Sequence, residues 1–168
     1  LASKICNTPI SSITLIDINR QWHKATVGLN AREADRRISF CAHAICQDDF
    51  MEINDTLNDE RFSDNPLVSE DPSIRYYAGV PLVSKNGYKL GNLCVIDTIP
   101  RNLDDEQAFA PKVLAAQVMT LIELRLRNKQ LTHLTATQNR IISIMAHDVR
   151  NPLTSLKTMI DLEKLEVI

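Results

Sequence analysis

Residues 74–98 read IRYYAGVPLVSKNGYKLGNLCVIDT. Two apolar runs rich in Val, Ile, Leu and Tyr flank Lys85-Asn86-Gly87, and an Asn-Gly pair supplies the positive φ angles that a tight hairpin turn demands. The stretch is therefore a pair of antiparallel strands. Upstream, SSITLIDINR and QWHKATVG read as two more strands joined at Asn19-Arg20, with Ile13, Leu15 and Asp17 on alternate positions and β-branched residues dense. FMEIND (50–55) is a further short strand. Between them, Ile38, Cys41, Ala42 and Ile45 fall at helical spacing with Ser39 placed to cap. Residues 1–8 resemble the tail of a helix ended near Pro9, and Asn30 to Asp35 reads as a polar connection. TLNDERFSDNPLVSEDPS (56–73) is a long segment, loop or short helix, and long connections of this kind often cover a site. Strands, a helix, more strands and a closing helix describe an α+β domain.

The rest of the chain is different in kind. Acidic residues between Leu103 and Gln107 suit a helix start, and Pro111 either lies in a first irregular turn or restarts the helix at its first position. From there to Ile168 there is no Gly, and only Pro152, so one long helix is expected. At about 1.5 Å per residue it would reach roughly 80 Å, more than a globule of this size can cover, so it should pair with another chain. Leu121, Leu124, Asn128, Leu131, Thr135, Gln138, Ile142 and Met145 keep a 3–4 spacing, but three of these eight are polar. This seam is weak. It suits a helix that shifts between two packings, as a signalling linker would, and equally a solvated connector between domains.

Within that helix, residues 141–156 read IISIMAHDVRNPLTSL. Ile142, Met145, Ala146, Val149, Leu153, Leu156 and Ile160 form an apolar stripe, and His147 lies about 155° from its middle, sharing a polar face with Arg140, Asn151, Thr154 and Thr158. Asp148 follows directly and Asn151 lies one turn on, so three groups can approach one reagent. Pro152 lacks the N–H that would bond the Asp148 carbonyl and should bend the helix there. An imidazole beside a carboxylate can act as a nucleophile, since the carboxylate orients the ring and accepts its proton. The plain alternative is an exposed histidine on an ordinary helix.

Size and composition bound the possibilities. A chain of 168 residues suggests one compact domain, or a small domain plus an extension; 44% hydrophobic residues are enough for a core, and 24% charged residues argue for a soluble protein. The net charge of −2 gives no electrostatic case for nucleic acid. No apolar run approaches 18 residues and no signal-peptide pattern is present, so no membrane contact is expected from this segment. Cys6, Cys41, Cys46 and Cys94 contain no CxxC pair and read as reduced intracellular thiols. A cytoplasmic location is expected, with the parent free to be tethered by segments outside this sequence.

Two family resemblances follow from these residues. The order His-Asp-Val-Arg-Asn-Pro-Leu at 147–153 closely resembles the phosphoacceptor box of sensor histidine kinases, in their dimerisation and histidine-phosphotransfer domain. The resemblance implies that His147 accepts the γ-phosphate of ATP, that Asp148 is its acid/base partner, and that Asn151 serves the phosphatase direction. RRISFCAHAI, DERFSDNPLV, IRYYAGVPLV and YKLGNLCVIDTIPR look like a GAF domain, as found in bacterial sensor kinases and cyclic-dinucleotide enzymes, over about residues 1–126 with the first helix mostly missing. That implies an antiparallel sheet of about six strands flanked by helices, and a pocket beneath the 56–74 segment. The expected organisation is a GAF sensor domain at 1–110, a linker helix at 111–139, and the first, incomplete phosphotransfer helix at 140–168. Pocket candidates are Cys41, His43, Arg75 and Tyr77. Cys41 and His43 fall on different sides of a helix with no second ligand pair, so no metal site is expected. Bilin-binding relatives carry adjacent Cys-His, whereas Ala42 intervenes here; the Asn-Lys-Phe-Asp-Glu signature of cyclic-nucleotide GAF domains is missing. Haem by way of His43 stays open, as does a buried, hydrogen-bonded His43. Arg75 suits a carboxylate or phosphate clamp, or a pairing with Asp64 or Asp71.

These resemblances imply part of a two-component sensor histidine kinase whose GAF input controls phosphorylation of His147 and transfer to a response-regulator receiver domain. All four glycines lie in the GAF part, so no nucleotide loop is present. ATP and Mg²⁺ would be bound by a separate domain of the parent, and the fragment alone should be inactive. The GAF ligand is unknown and there could be none. The rivals are a small-ligand GAF module with a dimerisation stalk, and an unliganded dimer scaffold.

Overall fold

The computed structural model describes residues 1–166, with side chains through Lys157. Two compact units divide the chain, Leu1–Leu121 and Ile122–Ile168. The expectations placed on Thr158, Ile160 and the last residues of the phosphotransfer segment concern side chains outside the described residues.

In the first unit, α1 (Ala2–Ile5) leads into β1 (Ile10–Ile16) and β2 (Arg20–Val27), then β3 (Glu33–Asp35), α2 (Phe40–Ala44), β4 (Met51–Ile53), α3 (Pro66–Ser69), β5 (Tyr76–Val83) and β6 (Lys89–Asp97). The six strands form one antiparallel sheet in the order β3-β2-β1-β6-β5-β4. The β5–β6 hairpin turns at Gly87, whose φ of 81° is the left-handed value an Asn-Gly turn needs. The sequence thus gives the right fold class and hairpin. Asn30–Asp35 is more than the expected connection: Glu33–Asp35 pairs with β2 through Trp22, Gln21 and Arg20. Three residues are too few to show a strand period, so only the open edge of β2 reveals this strand.

Strands β5 and β6 are buried on both faces along most of their length, and side-chain alternation sorts their residues. Tyr77, Cys94 and Ile96 join Ile10, Phe40, Cys41, Phe62, Val68 and Ile74 in the main core, with Phe40 stacked between Phe62 (centroids 4.3 Å apart) and Tyr77 (5.2 Å). Gly91 allows the close approach of β6 to β1, because a Cβ there would overlap the Thr14 carbonyl. Ser39 caps α2 as expected, its Oγ accepting from the Ala42 N–H at 3.1 Å. The 56–73 segment is ordered by two further Asx caps, Asp55 and Asn65, and by the Asn65 side chain donating to the Ile38 carbonyl at 2.9 Å.

Helix α4 runs from Asp105 to Glu166. Pro111 lies inside it, not at its start. The missing N–H frees the Gln107 carbonyl, and the buried Cys6 thiol donates to it at 3.6 Å. Pro111, Ala115 and Met119 are buried, so the compact unit closes at Leu121, past the boundary expected at 110. The second unit is helical throughout its described length, continuing across Pro152. No described helix is long and apolar enough to cross a membrane.

Candidate functional site

Two places carry the candidate chemistry. In the helical unit, the His147 Nδ1 lies 3.3 Å from Asp148 Oδ1, with both side chains about 70% exposed. A contact this long and this exposed contributes little stability, but it orients the ring. A ring with its Nδ1 proton directed at the carboxylate has its Nε2 lone pair free to accept a proton or another electrophile. Asn151 is exposed one turn on, and its backbone carbonyl accepts from Ser155 Oγ at 3.2 Å. The apolar stripe is equally open: Ile142, Met145, Val149, Leu153 and Leu156 are each more than half exposed. The single chain covers neither face of this helix.

In the first unit, an apolar cavity of about 190 Å³ lies between the sheet and the segment carrying α3. Leu29, Ala31, Leu67, Pro72 and Ile74 cover it, and Phe40, Cys41, Tyr77 and Ile96 line its base. It is smaller than the ~300–1,000 Å³ typical of ligand pockets, so only a small molecule fits. Its one polar wall, Gln21, His23 and Ser39, is internally paired. Ser39 donates to Gln21 Oε1; Gln21 Nε2 lies 3.1 Å from His23 Nε2, and His23 Nδ1 lies 2.9 Å from Ser12 Oγ, which donates to the Ala25 carbonyl at 3.3 Å. These directions agree only with a neutral His23 protonated on Nδ1. Burial lowers its pKa below the ordinary histidine value, in the same sense.

Of the four pocket candidates, the structure brings two together. Tyr77 and Cys41 are buried side by side, the Tyr77 hydroxyl 3.3 Å from the Cys41 sulfur. His43 is on the outside of α2, exposed; its Nδ1 is 3.2 Å from the Ser39 carbonyl and its ring meets the Phe62 edge at 4.8 Å. It is hydrogen-bonded but not buried, because two positions along a helix turn the side chain to the opposite side. It does not line the cavity, so no haem ligand points in from it. Arg75 neither clamps an anion nor pairs with Asp64 or Asp71: its Nη1 donates to the carbonyls of Val68 at 2.8 Å and Ile74 at 3.0 Å, tying the end of α3 to β5. Among the described residues no three His, Cys, Asp or Glu side chains converge as a metal site. The Gln21–His23 wall was missed, although residues two apart on a strand share a face and this signal was present in QWHK.

With the geometry in place, comparison with known proteins identifies the architecture. A cyclic di-GMP phosphodiesterase of Pseudomonas aeruginosa is 37% identical over 175 aligned residues, covering 95% of this chain and so most of α4. The chain spans only 30% of that relative's length. The GAF domain of an Acinetobacter phosphoenolpyruvate-protein phosphotransferase superposes with a TM-score of 0.59 at 18% identity, covering 76% of this chain and 78% of that one. A domain assigned to a two-component sensor histidine kinase protein of Sinorhizobium meliloti gives 0.57 at 15% identity, covering 79% and 90%. At such identities the two structures speak for the fold alone. The family model of the GAF domain matches residues 1–122, the whole of the first unit, and the chain belongs to the GAF domain family.

Proposed function

We propose that this chain is the input and phosphoacceptor part of a two-component sensor histidine kinase, acting on the cytoplasmic side. The observation that supports it is the exposed His147–Asp148 contact on a helix that continues with Asn151-Pro152-Leu153. The imidazole Nε2 attacks the γ-phosphorus of ATP held with Mg²⁺ by a separate domain of the parent, the bond from that phosphorus to the β–γ bridging oxygen breaks and ADP leaves; Asp148 receives the Nδ1 proton as charge develops, and Asn151 positions water in the reverse, phosphatase direction. The phosphoryl group then passes to a response-regulator aspartate. Two copies pair through the exposed leucines of the long helix, the GAF unit biasing that pairing.

A second reading is favoured by the 37% identity to a phosphodiesterase across most of α4. There the same GAF unit and helix act as the input of a cyclic di-GMP hydrolase, with the histidine box unused. One experiment separates the two. The parent protein is incubated with γ-labelled ATP and Mg²⁺, as wild type and as His147→Gln, and in parallel with cyclic di-GMP. Acid-labile, alkali-stable label that vanishes in the variant supports the kinase reading. Hydrolysis of cyclic di-GMP with no label overturns it.

A further inference from the structure

Cys41 and Cys94 lie far apart in sequence, on α2 and β6, yet their sulfurs are 3.8 Å apart in the core. They sit in a directed chain of hydrogen bonds. The Tyr77 hydroxyl donates to Cys41 Sγ at 3.3 Å, the Cys41 thiol donates to Cys94 Sγ, and the Cys94 thiol donates to the Ser12 carbonyl at 3.5 Å. Gly79 makes this possible, since a Cβ there would overlap the Tyr77 hydroxyl. The other two cysteines are placed differently. Cys6 bonds a helix carbonyl and Cys46 is exposed, and neither has a sulfur neighbour. Cys41, moreover, is among the residues that line the apolar cavity, whereas Cys94 is not.

We propose that Cys41 and Cys94 form a dithiol oxidation site at the base of the cavity, with a small hydroperoxide as the oxidant. The Cys41 sulfur attacks the peroxide oxygen, breaking the O–O bond; the leaving oxygen takes a proton and departs as water or alcohol, and Cys41 becomes a sulfenic acid. The Cys94 sulfur then attacks Cys41, expelling hydroxide that leaves as water with the Cys94 proton. In sum, two thiols and one peroxide give one disulfide, one alcohol or water, and one further water. The sulfurs must close from 3.8 Å to about 2 Å to form the disulfide.

The two sulfurs are not equivalent. When Cys41 loses its proton, the Cys94 thiol can turn from the Ser12 carbonyl to donate to it beside the Thr14 and Tyr77 hydroxyls, which draws the Cys41 pKa down against burial, while that same partnership and burial push Cys94 well up. Cys41 lines the cavity and Cys94 does not, so Cys41 is the attacking sulfur and Cys94 the resolving one. The product cross-links α2 to β6 and so fixes one wall of the cavity, an input signal independent of any bound ligand and of the histidine chemistry above.

The test uses the 168-residue chain carrying Cys46→Ser, which removes the exposed thiol without touching the core. The protein is exposed to hydrogen peroxide or tert-butyl hydroperoxide, unfolded in alkylating reagent, and mapped without reduction. The expected result is one cross-linked peptide pair joining Cys41 to Cys94 with the loss of two hydrogens, and Cys6 still alkylated. Tyr77→Phe, which keeps the ring and loses the hydroxyl, should slow this reaction several-fold. Recovery of both thiols alkylated, at peroxide levels that oxidise Cys46 in the wild type, would overturn the proposal. So would Cys41 over-oxidised to sulfinic acid beside a reduced Cys94. An unchanged rate in Tyr77→Phe would overturn the assignment of Cys41 as the attacking sulfur.

Discussion

The two units of this chain treat the same kind of side chain in opposite ways. In the GAF unit, Phe62, Val68, Tyr77 and Leu82 are fully buried, and even polar Asn92 and Thr14 are enclosed. In the helical unit, Leu124, Leu131, Ile142, Met145 and Leu156 are each more than half exposed. Apolar content alone does not separate them. The sheet folds back on itself and brings distant residues together, whereas a lone helix offers its stripe nothing to pack on. The first unit can hold its structure within one chain, while the second needs a partner for its leucines to contribute.

This contrast predicts where substitutions act. Phe62→Ala removes the ring stacked on Phe40 and should cost about 3–5 kcal/mol, read as a large fall in urea midpoint. If the fall were small, the GAF core would be looser than its burial indicates. Leu124→Asp with Leu131→Asp should instead leave the melting of the GAF unit unchanged. It should weaken self-association by roughly hundredfold or more in sedimentation, since two leucines per chain lose their burial. A wild type that stays monomeric at all concentrations would break the comparison, leaving the stripe for some other partner.

Smaller effects come from titration. Burial lowers the folded pKa of His23, so the unfolded chain binds more protons below the ordinary value of 6.5. Stability should therefore fall as pH drops below about 6.5 and stay flat with respect to this group above it. Melting curves between pH 5 and 8 would show the slope, and His23→Asn should remove it. The smallest change concerns the surface. Arg37, bonded to Asp35 through side chain and backbone, holds that carboxyl down to about 2. Its stabilising share is complete above an ordinary carboxylate pKa of 3.8 and is lost as pH falls through about 2. NMR titration should give that midpoint, and Arg37→Gln should return it toward 3.8. Because the pair is exposed, the melting temperature near neutral pH should barely move.

Much of this was legible in the residues. The Asn-Gly turn, the Ser39 cap, the flanking strands and the uninterrupted helix each rest on local chemistry, and each is present in the structure. His147, Asp148 and Asn151 share one helix, as their spacing indicates, and the His147–Asp148 contact is local for the same reason. The pocket was harder. Tyr77 and Cys41 were found together, but Arg75 proved to serve backbone carbonyls, since a guanidinium beside the end of a helix finds acceptors that no sequence pattern announces. Likewise β3 exists only because β2 presents an open edge.

Sequence by itself determined the fold class, the hairpin and the long helix, because these depend on periods and turns a few residues long. Tertiary structure alone decided that Cys41 meets Cys94, that His43 stays outside, that Gln21 and His23 close one wall of the cavity, and that the domain ends at Leu121. Those facts join residues far apart along the chain, whose distances are fixed by strand order and packing and not by local spacing.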